Sequence, residues 1–114
     1  MESGEVVLAL EAVAQESRLG IFRLLVEAGP EGLPAGAIAK RMKLPPPTLS
    51  FHLSQLKHAG LIACKRTGTS LIYSANFGAM NKLVGFLTEN CCGSGATCAP
   101  MCKVPQTKRR RRIK

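Results

Sequence analysis

Five cysteines, at positions 64, 91, 92, 98 and 102, are the side chains of this 114-residue sequence best suited to chemistry. Four of them, Cys91, Cys92, Cys98 and Cys102, share one short segment, and Gly93 and Gly95 let the chain between them curl tightly. Thiolates are soft ligands and select soft centres. An adjacent pair plus one further sulfur can surround a pyramidal centre such as trivalent arsenic or antimony. With Cys102 added, the segment can instead make the four-thiolate tetrahedron of zinc or cadmium. The spacing C-C-x5-C-x3-C lacks the paired C-x2–4-C units of the usual zinc modules. Mercury, a thiol–disulfide switch joining Cys98 or Cys102 to Cys91 or Cys92, and a segment with no ligand at all stay open. Cys64 stands apart and reads as a small buried hydrophobe.

Compartment decides how such a cluster is read. No apolar run approaches the roughly 18–20 residues that a membrane span requires. Nor does the N-terminus pair a basic region with an apolar core, so no secretory signal and no membrane association are expected. The expected location is cytoplasmic, where thiols stay reduced and clustered cysteines bind metals or sense redox state. The formal net charge is +9, but residues 103–114 carry seven of the 16 basic residues and no acidic one. The remainder is only mildly basic, which is compatible with nucleic-acid binding. No enzyme is expected, because the chain has no Asp, no Gly-rich phosphate loop and no nucleophile elbow. A cysteine tail that merely carries its ion, as in a metal chaperone, is a further alternative.

The elements that must position these groups follow from hydrophobic period. Val6, Val7, Leu10 and Val13 make a helical stripe over residues 5–13. Leu19, Phe22, Leu25 and Val26 make a second, with Ser17 as N-cap and Gly29-Pro30 as stop. Leu33-Pro34 opens a third helix through Met42, with Ile38 and Met42 facing inward. Pro45, Pro46 and Pro47 form a rigid connector whose last residue begins a fourth helix, Thr48 to Ala59, closed by Gly60. Leu61 to Arg66 and Ser70 to Ala75 are strands joined by Thr67-Gly68-Thr69, and Phe77, Met80, Leu83, Val84 and Leu87 restore a helix up to about residue 90. The sequence thus divides into a folded domain, residues 1–90, a cysteine-rich sensor segment, 91–102, and a basic tail, 103–114, whose composition predicts disorder. The fold class is mainly α with a β-hairpin, in the order of a winged helix-turn-helix. One small aliphatic core is all this length allows, and a dimer interface would help it bury enough surface.

In the fourth helix Leu49, Leu53 and Leu56 form the anchoring stripe. At about 100° per residue Thr48, Phe51 and Gln55 then lie away from it, with Ser50 and His52 on its flanks. Small and hydrogen-bonding side chains suit a helix lying in a major groove. Lys57, Lys65 and Arg66, with Thr69 at the hairpin tip, can hold phosphates and fix the register. A solvated helix face, a boundary histidine and solubilising charge explain each piece singly; the helix pair, hairpin and basic strand end together favour double-stranded DNA.

The stretch from Thr48 to Ile62, with the skeleton S-x-H-L-x-x-L-x-x-A-G-L-I, resembles the recognition-helix signature of the ArsR/SmtB family of metal- and metalloid-responsive repressors. Residues 18–25 resemble that family's second helix, residues 32–39 its third, and residues 66–74 its wing. The resemblance implies a homodimer joined through its first and last helices. It also implies binding to a pseudo-palindromic operator and repression that ends when an inducer binds. The sequence departs from the pattern in having no cysteine between Ala37 and Leu44, and no His with acidic partners between Met80 and Glu89. Both departures leave the C-terminal cysteines as sensor. Their C-C-x5-C run is similar to that of arsenic-responsive members whose three thiolates bind arsenite. The implied inducer is As(III), as arsenite or methylarsenite, or Sb(III) as antimonite, on Cys91, Cys92 and Cys98, with Cys102 surplus to a three-sulfur site.

Overall fold

The computed structural model describes residues 1–90; the cysteine segment and the basic tail lie outside the described residues. Five helices and a three-stranded sheet follow in the order α1 (Ser3–Val13), α2 (Glu16–Ala28), β1 (Leu33–Pro34), α3 (Ala35–Met42), α4 (Pro46–His58), β2 (Ile62–Thr67), β3 (Ser70–Ala75) and α5 (Phe77–Thr88). Strands β2 and β3 form an antiparallel hairpin, with Ile62 opposite Ala75 and Thr67 opposite Ser70. Strand β1 adds to the other edge of β3, giving the order β1-β3-β2. This is the winged helix-turn-helix architecture expected from the pattern.

The core is aliphatic. Ile21 and Leu25 from α2, Ile38 from α3, Leu49, Leu53 and Leu56 from α4, and Leu61 after it are buried together, with Ala9 and Ala12 of α1 against them. Burial of such side chains at about 25 cal/mol per Å² of apolar surface holds α4 on the domain and fixes which of its faces is left outward.

Local chemistry moved several expected boundaries. Helix α2 is capped by Gln15, whose Oε1 accepts from the Arg18 amide at 2.9 Å. Ser17 is not its cap: the extended residue is Gln15 (φ −153°, ψ 131°), and Ser17 lies inside the first turn. Helix α4 starts at Pro46, with Pro46 and Pro47 in its first turn, one residue ahead of the proline expected to begin it. First-turn amides have no helical acceptor, so two prolines remove nothing there.

Leu33 and Pro34 do not open α3. They pair with Tyr73 and Ile72 as an edge strand, a position where the missing proline amide is harmless. Helix α1 also buries a different stripe from the one expected. Val6, Ala9 and Ala12 face the core, the alanines allowing close approach, while Val7 and Leu10 stay outside at 53% and 39% exposure. No residue of α5 is fully buried, and Val84 and Leu87 are more than half exposed. The two terminal helices pack together and leave apolar side chains uncovered.

Candidate nucleic-acid interface

Helices α3 and α4 are joined by a tight turn. Lys43 closes α3 in the left-handed conformation (φ 58°), and Pro45 sets the entry to α4. Because Leu49, Leu53 and Leu56 point inward, the opposite side of α4 is set by geometry: Thr48, Ser50, Phe51, Ser54, Gln55 and Lys57 are all exposed. Phe51 is 57% exposed, a large apolar ring on an otherwise polar face. On the wing, Lys65, Arg66 and Thr69 are exposed as well. Lys65 lies opposite Ile72 and Arg66 opposite Leu71, so strand alternation sends the two cations to different faces of the hairpin.

His52 is the exception among the expected contacts. It lies on the flank of the apolar stripe, where the spacing put it, but is buried there rather than open to a groove. Arg18 of α2 reaches it, Nη1 donating to His52 Nδ1 at 3.3 Å, while Arg18 Nε donates to the Ala12 carbonyl at 2.6 Å. Since a guanidinium only donates, His52 Nδ1 must accept, which requires the neutral ring protonated at Nε2. Burial first, and then the Arg18 charge, hold the His52 pKa below its ordinary 6.5. The Arg18 side chain thus ties the end of α1 to the middle of α4.

A measurable pH dependence follows. The folded state binds fewer protons at His52 than the unfolded chain, so its contribution to stability is complete above about pH 6.5 and is lost as pH falls through the lowered folded value. Urea unfolding between about pH 7 and 5 should show this loss, and His52→Gln, which keeps an acceptor for Arg18, should flatten it. Arg18→Met should destabilise by about 1–3 kcal/mol at neutral pH, by leaving the Ala12 carbonyl and the ring without their donor.

Other features were missed in reading the sequence. Lys40, Arg41 and Lys43 are exposed around the end of α3, beside the turn into α4. Their signal was available: all seven acidic residues fall within positions 2–31 or at 89, so everything from α3 through the wing to α5 is free of acids. The positive charge of the folded domain is therefore concentrated on the half that carries α4. Asn76 was missed too. Its side chain caps α5 by accepting from the Ala79 amide at 3.1 Å and donates to the Gly60 carbonyl at 3.0 Å, joining the start of α5 to the end of α4. Cys64 is half-buried rather than buried, with a free thiol across the hairpin from Tyr73. Among the described residues no group of three or more His, Cys, Asp or Glu side chains could hold a metal ion. No described helix is long and apolar enough to cross a membrane. Cys91, Cys92, Cys98 and Cys102 lie outside the described residues.

Comparison with known proteins agrees with this geometry. Residues 13–65 match the helix-turn-helix domain family. The chain is 34% identical over 80 residues to the nodulation protein NolR of Rhizobium meliloti, covering 70% of this chain and 63% of NolR, a little under two thirds of that relative's length. It is 36% identical over 63 residues to the uncharacterized HTH-type transcriptional regulator MJ1325 of Methanocaldococcus jannaschii, covering 55% of this chain and 68% of that one. The solution structure of Mb0332 from Mycobacterium bovis is a homodimeric winged helix-turn-helix DNA-binding domain of a possible ArsR-family regulator. It superposes with a TM-score of 0.61 at 27% identity, covering 76% of this chain and 81% of that one. This chain belongs to the HTH-type transcriptional regulators, and its fold is that of the winged helix-turn-helix DNA-binding domains.

Proposed function

We propose that the chain is a homodimeric repressor that reads a pseudo-palindromic operator with α4 and releases it when trivalent arsenic binds its C-terminal cysteines. The observation that carries the DNA half is the outward face of α4, flanked by a basic wing on the acid-free half of the domain. Gln55 offers the paired donor and acceptor that suit an adenine edge, and Phe51 suits a thymine methyl. Lys57, Lys65 and Arg66, joined by Lys40, Arg41 and Lys43, supply sequence-independent attraction to phosphates. The apolar side chains left outside on α1 and α5 are the surface a second copy would cover.

For the inducer, the supporting observations are chemical. Three soft thiolates, Cys91, Cys92 and Cys98, match a thiophilic pyramidal centre such as arsenite, methylarsenite or antimonite. The fourth, Cys102, keeps a zinc, cadmium or mercury response as the second reading. The cysteines begin three residues after α5 ends. Ligation there would act on α5, and Asn76 connects α5 to the end of the recognition helix. A coupling of about 1–3 kcal/mol through this junction corresponds to an operator affinity lowered about 5- to 150-fold.

Serine in place of Cys91, Cys92 or Cys98 should leave operator binding intact and abolish the response to arsenite in gel shifts, with Cys102→Ser mattering less. Loss of DNA binding in the metal-free variants would overturn a pure sensing role. Release by zinc or cadmium, dependent on Cys102 and without release by arsenite, would favour the second reading.

A further inference from the structure

Between α4 and the wing lies a cleft of about 180 Å³ lined by Ser50, Leu53, Ser54, Lys57 and Tyr73. Positions 50, 54 and 57 recur at helical spacing, so their side chains share the side of α4 that faces strand β3. Tyr73 is half-buried on β3, with Leu33 and Cys64 as its neighbours on the flanking strands. The lining therefore offers three hydroxyls and one ammonium, all of them hydrogen-bond donors, and no carboxylate. Leu53 is buried at the cleft and supplies an apolar wall. Burial foremost, and then a side-chain hydrogen bond and charge interaction with the Cys64 thiol beside it, push the Tyr73 pKa above its ordinary 10.

Convergent neutral donors around one cation suit a small multi-acceptor oxyanion. Position then selects its source. With the outward face of α4 in a major groove, the sugar–phosphate strand bounding that groove runs between the recognition helix and the wing. We propose that this cleft is a backbone-phosphate seat, in which Ser50, Ser54, Lys57 and Tyr73 hold one phosphodiester of each operator half-site. The proposal rests on the DNA-binding reading and adds Ser54 and Tyr73 to it. A phosphate held on both sides, by helix and by wing, fixes how far α4 enters the groove while carrying no sequence information itself.

The test is fluorescence anisotropy with the full chain, using the operator and an unrelated duplex across a range of KCl. Tyr73→Phe removes one hydroxyl and keeps the ring; Ser54→Ala changes an exposed position that does not support the core. Each should weaken both duplexes by a similar factor, about tenfold for Tyr73→Phe, the size of a lost hydrogen bond to a charged group. Lys57→Gln should lower the slope of log affinity against log salt by about one. A duplex carrying a single neutral methylphosphonate should reveal one position per half-site that weakens the wild type about tenfold and leaves Lys57→Gln nearly unaffected.

Wild-type affinity in both Tyr73→Phe and Ser54→Ala overturns the seat. So does a loss confined to the operator, which would mean base reading. Thermal stabilisation by inorganic phosphate with no sensitive methylphosphonate position would assign the cleft to a free anion and equally overturn it. A wild type that binds DNA but does not prefer the operator defeats the repressor reading and leaves the seat standing on the unrelated duplex. Failure to bind any duplex defeats both.

Discussion

Replacing Gly32 with alanine is expected to unfold much of the winged half of the domain, lowering stability by roughly 3–5 kcal/mol. Gly32 sits at φ +71°, where an L side chain is strained, and a Cβ there would be driven into the Tyr73 carbonyl oxygen, 2.9 Å from its carbon and 3.1 Å from Ser74 Cβ. The obstruction is backbone and cannot swing aside. It lies where β1 meets β3, so relief would have to separate the Leu33–Tyr73 pair and displace the strand that carries Tyr73. Gly29 makes the comparison that separates the two effects. It has φ +80° and ψ −170° and nothing within 4 Å of a built Cβ, so Gly29→Ala carries only conformational strain, about 1–3 kcal/mol. Thermal unfolding followed by circular dichroism should place Gly32→Ala well below Gly29→Ala, by about 4–8 °C for each extra kcal/mol. Equal midpoints would show that the β1–β3 contact can relax.

Leu87→Glu is expected to give a folded monomer whose operator affinity falls by about 10²- to 10⁴-fold, the avidity lost when two linked half-site contacts become one. Leu87 is 57% exposed and Val84 54%, and neither belongs to the domain's core, so the charge should leave the fold intact. Val7, Leu8 and Leu10 extend the same kind of surface on α1, which packs against α5. Five uncovered aliphatic side chains on two packed helices are more than a solitary small domain tends to leave in water. Sedimentation velocity would report the mass, and anisotropy the affinity. A dimer that persists with full operator affinity would remove α5 from the interface.

The contrast between what could and could not be read in the residues is physical. Leu49, Leu53 and Leu56 recur at helical spacing and bury as the period requires, so the outward residues Thr48, Phe51 and Gln55 are legible in the sequence. His52 is not, because its place depends on Arg18, 34 positions earlier in the chain, whose guanidinium satisfies the ring. Strand β1 escaped for the same reason: two residues have no period, and only pairing with β3 makes Leu33 and Pro34 a strand. In α1 the bulky residues suggested the inner face, yet Ala9 and Ala12 pack there because a close helix–helix approach favours small side chains. The exposed Val7 and Leu10 then belong to the surface proposed for a second copy.

The most direct measurement is a titration of purified protein on labelled DNA from its own promoter, followed by anisotropy at fixed salt with and without arsenite. The expected result is specific binding by a dimer in the absence of arsenite, weakened about 5- to 150-fold when As(III) is added. Antimonite and methylarsenite should act alike, and none should act on the protein lacking Cys91, Cys92 and Cys98. Operator binding unchanged by arsenite, or equal affinity for unrelated DNA, would contradict it.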